Sequence, residues 1–111
     1  MSRARAQGSV QALLNLDRLV HEPARLVILT VLSGAAEVEF KFLEATTGLT
    51  RGNLSSHVSK LEAAGYLDVH KSFRARLPVT SYRITASGRR ALADYLEHLR
   101  GALPRQGKVA S

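Results

Sequence analysis

The hydrophobic positions between residues 50 and 65 recur at helical spacing and predict an amphipathic helix. Leu54, Val58 and Leu61 form a narrow apolar stripe, which indicates that this side of the helix faces a core. At about 100° per residue, small hydroxyls, an amide and cations point the other way. No carboxylate occurs in this helix before Glu62, so the polar side is suited to an anionic partner.

Both ends of this helix carry residues that are typical of helix termini. Thr50 is a suitable N-cap, because its hydroxyl can accept a hydrogen bond from a free amide of the first turn. Gly65 suits the left-handed conformation that often follows the last turn. Upstream, residues 40–48 predict a shorter helix that ends at Gly48. Two helices joined by so short a link predict a helix-turn-helix.

Two segments that favour β-structure follow the polar helix. Residues 66–73 alternate loosely, and residues 79–85 are rich in β-branched and aromatic side chains. Residues 74–78 between them predict a basic turn. Because a two-stranded hairpin is marginal alone, it must pack against the helices. The order helix, turn, polar helix and basic hairpin predicts a winged helix-turn-helix fold, mainly α with a small β-hairpin.

The segments before this unit predict two further helices and a short strand. Residues 10–20 have leucines and valine at mixed helical spacings, and Pro23 begins a mostly apolar helix that ends near Gly34. This second helix is predicted to be central to the core, and residues 37–39 are compatible with one brief strand. The predicted division is a disordered basic arm over 1–9, a winged helix-turn-helix domain with terminal dimerisation helices over 10–103, and a flexible tail over 104–111.

The two terminal helices are predicted to form a dimer interface. The stripe in residues 10–20 is wider than one core contact needs, and the last helix, capped by Thr85 or Ser87, has an apolar seam over three turns. The alternative is that these helices pack on each other within one chain. We favour a homodimer, because twofold dimers are the commonest soluble oligomers. The predicted interface residues are Leu13, Leu16, Leu92, Leu96, Leu99 and Leu103.

Composition limits the chemistry of the chain. With 111 residues, 45% of them hydrophobic, it can form one domain with a core and without disulfides or metals. It has no cysteine, which removes disulfides, thiol chemistry and thiolate metal sites. No apolar run approaches the ~20 residues that span a bilayer, and residues 1–10 lack the apolar stretch of a signal peptide. We therefore expect a cytoplasmic protein that does not contact a membrane.

The positive charge is concentrated in the second half of the chain. Residues 1–48 have five cations and five anions, residues 49–83 have six and two, and residues 84–111 have five and two. The excess of cations therefore begins where the polar helix begins. Basic charge clustered on one structural unit is typical of phosphate binding. This distribution predicts a nucleic-acid partner rather than a merely soluble basic domain.

The polar helix contains donors for phosphate oxygens. Hydroxyls and the amides of a helix N-terminus bind phosphates and set the register on the duplex without reading sequence. Thr50, Ser55 and Ser56 fit this role. His57 lies at the edge of the apolar stripe, so a hydrogen bond to the backbone or to a phosphate is favoured over base recognition.

Other side chains of the helix and the turn are suited to bases and grooves. Asn53 can pair with adenine, and Arg51 or Lys60 with guanine. The alternative for Asn53 is that it only supports the start of the helix. Arg74 and Arg76 bracket one residue of the basic turn and are suited to a minor groove or a phosphate. The alternative for them is a solvated turn.

Enzyme and metal sites are not predicted. The sequence contains no glycine-rich phosphate loop, H-E-x-x-H or G-x-S-x-G pattern. Ser56 and His57 are not a nucleophile–base pair, because adjacent helix residues do not face each other. Asp94, Glu97 and His98 share a helix face and could bind a metal if a second subunit completed the site. We interpret them as a surface charge cluster, and we expect no cofactor.

Residues 48–67 resemble the recognition-helix region of bacterial winged helix-turn-helix regulators, similar to the small MarR, ArsR and PadR families. Ser55-x-His57-Val58-x-x-Leu61-x-x-Ala64-Gly65-Tyr66-Leu67 follows their S-x-H-L-x-x-L-x-x-A-G-h-h pattern. Residues 21–29 resemble the start of the first core helix in ArsR-type proteins. Residues 82–88 resemble the MarR-type junction between wing and helix. The resemblance extends over about residues 10–103.

The resemblance implies a homodimeric repressor or activator that binds an operator in double-stranded DNA. Residues 50–64 would enter the major groove, and the wing, about residues 72–80, would lie on the backbone or in the minor groove. Any small-molecule effector, if the protein has one, would bind between helices at the dimer interface. The alternatives are a protein-interaction module and a metal-responsive regulator, although the cysteine pair of ArsR-type sensors is absent. The positions that match the DNA contacts are Thr50, Arg51, Asn53, Ser55, Ser56, His57, Lys60, Arg74 and Arg76.

Overall fold

A computed structural model describes residues 16–103 of the chain, which form four helices and three strands. These elements are α1 (Pro23–Ser33), β1 (Val38–Glu39), α2 (Phe40–Thr47), α3 (Arg51–Ala63), β2 (Leu67–Arg74), β3 (Leu77–Ile84) and α4 (Ala86–Ala102). The strands form one antiparallel sheet in the order β1-β3-β2. The predicted winged helix-turn-helix fold is confirmed. Within the described residues, no helix is long and apolar enough to cross a membrane.

The core lies where α1 packs against α3, α4 and the sheet. As predicted, α1 is central and buries Ile28, Leu29 and Leu32. The apolar stripe of α3 also faces the core, and its residues Leu54, Val58 and Leu61 are all buried. Truncating such a leucine to alanine typically costs about 2–5 kcal/mol. Packing of this stripe therefore sets how α3 is held and which of its faces remains in solvent.

The predicted termini of α3 are confirmed. The Thr50 hydroxyl accepts a hydrogen bond from the backbone N–H of Asn53 at 3.2 Å. Gly65, which follows the C-cap Ala64, is left-handed at φ +79°. Gly48, at φ +69°, ends α2 in the same way. Because residues other than glycine rarely adopt this backbone conformation, the two glycines determine where the two helices of the motif end.

The hairpin turn is shorter than predicted. Its strands pair as far as Arg74 opposite Leu77, so that only Ala75 and Arg76 remain as the turn. Both have positive φ, 52° and 68°, which is the conformation of the two-residue turns that match the twist of a hairpin. The predicted turn over residues 74–78 is therefore wrong in extent, because continued strand pairing shortens the loop.

The predicted helix over residues 10–20 is wrong for its described part. Residues 16–20 form bends and turns instead, because the Asp17 carboxylate accepts the N–H groups of Leu19 and Val20 at 2.9 and 3.3 Å. Such a local hydrogen bond competes with helix formation. Residues 10–15, including the predicted interface residue Leu13, lie outside the described residues, as do the predicted arm 1–9 and tail 104–111.

Two leucines that were predicted at a dimer interface lie inside the single chain. Leu16 and Leu92 are both buried in the core cluster. They therefore have almost no surface left for a second subunit. The rest of the predicted seam on α4 is more accessible, since Leu96 is 43% exposed and Leu103 57% exposed, while Leu99 is partly buried against the core.

Candidate nucleic-acid interface

Most of the residues predicted to contact DNA lie in solvent on α3 and the wing. On α3, the exposed positions are spread around the side opposite the buried stripe, as the helical period requires. The wing cations are exposed as well. The predicted contact residues that are exposed are Thr50, Arg51, Asn53, Ser55, Ser56, Lys60, Arg74 and Arg76.

His57 is the exception, because it turns towards the N-terminus of α1. Its side chain is only 19% exposed, and its Nδ1 lies 3.6 Å from a Glu22 carboxylate oxygen. The Arg25 guanidinium donates to the same Nδ1 at 3.1 Å, which requires the tautomer with its proton on Nε2. This position gives His57 contacts that join two helices, and its predicted contact with DNA stays a prediction.

The Glu22 carboxylate anchors this junction between α1 and α3. Burial raises the pKa of Glu22, but hydrogen bonds from the backbone N–H groups of Arg25 and Ala24, with the charge of the Arg25 guanidinium, lower it more, so that the pKa lies below its ordinary value. The carboxylate is the side-chain cap of α1, where it accepts the N–H of Arg25 at 2.8 Å. Charge and hydrogen bonds together thus orient the start of α1 against α3.

An open groove of about 800 Å³ separates α3 from the wing. Arg51, Ser55 and Ser59 line it from the helix, and Lys71 and Arg74 line it from the sheet. Four cations and two carboxylates border this groove in all, so its net charge is positive. A groove of this sign between a polar helix and a hairpin is suited to a phosphate backbone.

Arg51 is held at the edge of this groove by an aromatic side chain. Its guanidinium lies 5.6 Å from the centre of the Phe40 ring, within the range of a cation–π interaction. The Phe40 ring in turn contacts Tyr82 of β3, with ring centres 6.3 Å apart. Arg51 is therefore positioned by packing between α2 and the sheet, and it presents its charge to the groove.

The two wing arginines differ in their surroundings. Arg74 forms an ion pair with Glu39 of β1 at 2.5 Å, and a hydrogen bond from Arg74 lowers the pKa of Glu39. Within residues 16–103, no carboxylate forms an ion pair with Arg76 at the turn. Of the two wing arginines, only Arg74 is therefore paired with a carboxylate within the described residues.

Several residues of the groove were not predicted from the sequence, and three of them are informative. Lys71, Phe40 and Ser59 line it, and none was predicted to be part of the site. Lys71 could have been found by strand parity, because it lies two residues after Val69 and shares that face of β2. The Phe40–Arg51 contact joins residues on two helices, and no local pattern indicates it.

The predicted charge cluster on α4 does not form a metal site in the described part of the chain. Among residues 16–103, no group of three or more metal-ligating side chains is close enough to hold an ion. Asp94 and His98 instead border a shallow cavity of about 360 Å³ with Asp17, Tyr66 and Tyr95. There, the Tyr66 hydroxyl donates to Asp17 at 2.8 Å.

Comparisons with known proteins agree with this geometry. An uncharacterized protein of Methanocaldococcus jannaschii is 34% identical over 79 residues, which span 71% of this chain and 86% of that protein. A transcriptional regulator homologue from Pyrococcus horikoshii OT3 is 27% identical, with a TM-score of 0.74 over 83% of this chain and 90% of its own. A MarR-family regulator from Silicibacter pomeroyi, 18% identical with a TM-score of 0.60 over 99% and 78%, shares the fold.

Family membership follows from the sequence match as well as from the fold. Residues 24–103 match the family described as a winged helix DNA-binding domain. This match covers most of the chain and includes both α3 and the wing. The bacterial origin and the narrower relation to the MarR, ArsR or PadR regulators stay predictions. The chain belongs to the winged helix DNA-binding domain family.

Proposed function

We propose that this protein is a sequence-specific transcriptional regulator that binds double-stranded DNA as a cytoplasmic homodimer and acts as a repressor. The observation that carries the proposal is the exposed polar face of α3, which continues across a positively charged groove onto the wing. The similarity to a transcriptional regulator homologue from Pyrococcus horikoshii supports it. In this proposal, α3 lies in the major groove and the wing lies on the adjacent backbone or minor groove.

The side chains of α3 are suited to close approach and to reading bases. An added Cβ at Gly52 would meet nothing within 4 Å, and the exposed side chains of Ser55, Ser56 and Ser59 are small, so the backbone itself can approach the DNA. Long side chains are few on this face. Arg51, Asn53 and Lys60 are therefore the residues that we assign to base edges, and Thr50, Ser55 and Ser56 those that we assign to phosphates.

For the homodimer, we assign the exposed part of the α4 seam, Leu96, Leu99 and Leu103, together with Leu13 outside the described residues. Two subunits related by a twofold axis would place their α3 helices in successive major grooves about 34 Å apart. The cavity bordered by Asp94 and His98 lies along α4 and is a suitable place for a small-molecule effector. Binding there would change how α4 packs and thereby the spacing of the two α3 helices.

The first experiment is selection of duplexes from a randomised library at ~150 mM salt, where non-specific binding is weak, with Kd about 10⁻⁴–10⁻⁶ M. We expect an enriched inverted repeat. If binding disappears at this salt and no motif is enriched, the protein is better explained as an interaction module. Analytical ultracentrifugation of the protein alone checks the dimer independently of DNA.

Two variants separate base reading from phosphate binding. Asn53→Ala is expected to relax the preference at one base position. Arg76→Ala is expected to weaken binding to all sequences and to reduce the salt slope by about one. Arg100→Ala is the matched control, since it removes the same charge from α4, far from α3. Equal losses on selected and random DNA for both Asn53→Ala and Arg76→Ala would contradict these roles.

A further inference from the structure

The tip of the wing carries two exposed apolar side chains. Phe73 is 77% exposed and Leu77 67% exposed, and they stand on either side of the turn residues Ala75 and Arg76. They are more exposed than any other large hydrophobic side chain in the described part of the chain. Exposed apolar groups that cluster at one place with a polar rim mark an interaction surface.

The strand register places these two side chains on opposite faces of the hairpin. Phe73 lies opposite Pro78, and Leu77 lies opposite Arg74. Directly opposed residues share a face, and successive residues alternate between faces. Phe73 and Pro78 therefore make one face of the tip apolar, and Leu77 makes the other face partly apolar. A tip of this kind can contact apolar surface on both sides at once.

The charged side chains that the hairpin tip itself carries are all positive, and one of them, Arg74, is paired with Glu39 of β1. Lys71, Arg74 and Arg76 are exposed, and residues 69–78 contain no acidic residue. A matching partner has anionic rims and an apolar interior. The DNA minor groove has phosphates along both rims and deoxyribose walls, and apolar side chains that enter it can insert between base steps.

The turn itself is narrow and strained. Ala75 and Arg76 both adopt left-handed φ values, a conformation that costs a residue other than glycine about 1–2 kcal/mol. Strained backbone of this kind is concentrated at functional sites. It allows two paired strands to end in only two residues, so that the apolar side chains lie at the extreme end of the hairpin.

We propose that the wing tip acts as an apolar wedge in the DNA minor groove, in which Phe73 and Leu77 contact the sugars and base edges of the two strands. This inference rests on the proposed DNA-binding function and adds that the bound DNA is bent. The strands of a hairpin are ~4.8 Å apart before side chains are added, while the minor groove is about 6 Å wide. Entry of the tip must therefore widen the groove and partly unstack a base step, as inserted apolar side chains do.

The test uses the duplex selected by the wild-type protein, with 2-aminopurine placed in the steps that flank the α3 site. The wild-type protein is expected to raise the fluorescence of the probe at the step that the wing enters. Phe73→Ala is expected to abolish this rise and to weaken binding by about tenfold. Its salt slope stays unchanged, because an apolar contact releases no counterions.

Two further variants serve as controls. Phe73→Leu is expected to keep most of the affinity and of the fluorescence rise, because an apolar side chain remains. Arg76→Ala is expected to reduce the salt slope and to keep the rise. Since Phe73 is mostly exposed, its variants should melt at the wild-type temperature, which separates a lost contact from a lost fold.

Several results would overturn the wedge. If Phe73→Ala binds the selected duplex with unchanged affinity and fluorescence, the wedge proposal is wrong, and the proposed function is unaffected. If the wild-type protein selects no motif, both the wedge proposal and the proposed function are wrong. If Phe73→Ala instead turns a dimer into a monomer in ultracentrifugation, the tip contacts a second copy. If Phe73-dependent binding is found only with phosphatidylserine vesicles, the tip contacts a lipid surface.

Discussion

Gly88 lies in the first turn of α4, where this helix packs against Tyr66 and the end of β3. A Cβ added at this position would lie 2.1 Å from the Tyr66 carbonyl oxygen and 2.8 Å from Cγ1 of Ile84. Ordinary contact begins at about 3.4 Å, so the separation from the carbonyl must grow by 3.4 − 2.1, or about 1.3 Å. The carbonyl is not mobile, because it accepts the Thr85 N–H at 3.1 Å. Gly88→Ala must therefore move backbone against backbone.

We expect Gly88→Ala to lower the free energy of unfolding by about 2 kcal/mol or more. Overpacking typically costs about 1–3 kcal/mol and occasionally more, and here the clash is with a hydrogen-bonded main chain. The gain in helix propensity from glycine to alanine, about 1 kcal/mol, offsets only part of this. For a domain of this size, a loss of 2 kcal/mol lowers Tm by about 8–16 °C.

Urea denaturation and thermal melting of two variants measure this effect. Gly101→Ala is the matched control, because it makes the same substitution in the same helix, where an added Cβ meets nothing within 4 Å. Gly101→Ala is expected to leave stability unchanged or to raise it by at most about 1 kcal/mol. If the two substitutions change the stability in the same direction, or if Gly88→Ala melts at the wild-type temperature, the close approach of Gly88 to the Tyr66 carbonyl does not constrain this junction.

Three further substitutions test single contacts. Thr50→Ala removes the cap of α3 and should lower the free energy of unfolding in urea by about 1 kcal/mol; Thr50→Ser should restore it, and an equal loss in both would refute the cap. Hydrogen bonding to Asp17 raises the pKa of Tyr66, so this bond stabilises the fold below the ordinary tyrosine pKa of about 10 and is lost as the pH rises through the folded value. Urea titrations from pH 7 to 11 should show that the free energy of unfolding falls less at alkaline pH for Tyr66→Phe than for the wild type. An equal fall in both proteins would contradict this role of the hydrogen bond. Glu39→Gln releases Arg74 from its ion pair and should tighten binding to selected and random DNA alike, measured by fluorescence anisotropy; an unchanged Kd would show that Arg74 does not reach the duplex.

The position and the ends of α3 could be predicted from the sequence. The apolar stripe of α3, its cap at Thr50 and the glycines at 48 and 65 act over four residues or fewer, so their spacing is sufficient to place the helix and its ends. The same period decides which side chains of α3 face solvent. For this reason, the exposed residues of the candidate interface could be predicted, and the basic charge of the wing pointed to their partner.

Errors arose where a side chain bonded the nearby backbone or where two segments paired, because the helical and turn patterns contain neither of these interactions. Residues 16–20 have the composition of a helix, but the Asp17 carboxylate closes turns and buries Leu16 and Val20 in the core. The length of the wing turn depended on strand register, which is a property of two segments together. Continued pairing left two turn residues where composition indicated five.

Periodicity along one chain segment therefore determined the recognition helix, its solvent face and the class of partner, because these depend on neighbours within a turn or two. The tertiary structure decided which of those side chains are engaged. It turned His57 towards Glu22 and Arg25, paired Arg74 with Glu39 and held Arg51 over Phe40. Each of these contacts joins residues at least eleven positions apart. Such contacts depend on how helices and strands pack in space, and this information is not contained in the spacing of residues along any one of them.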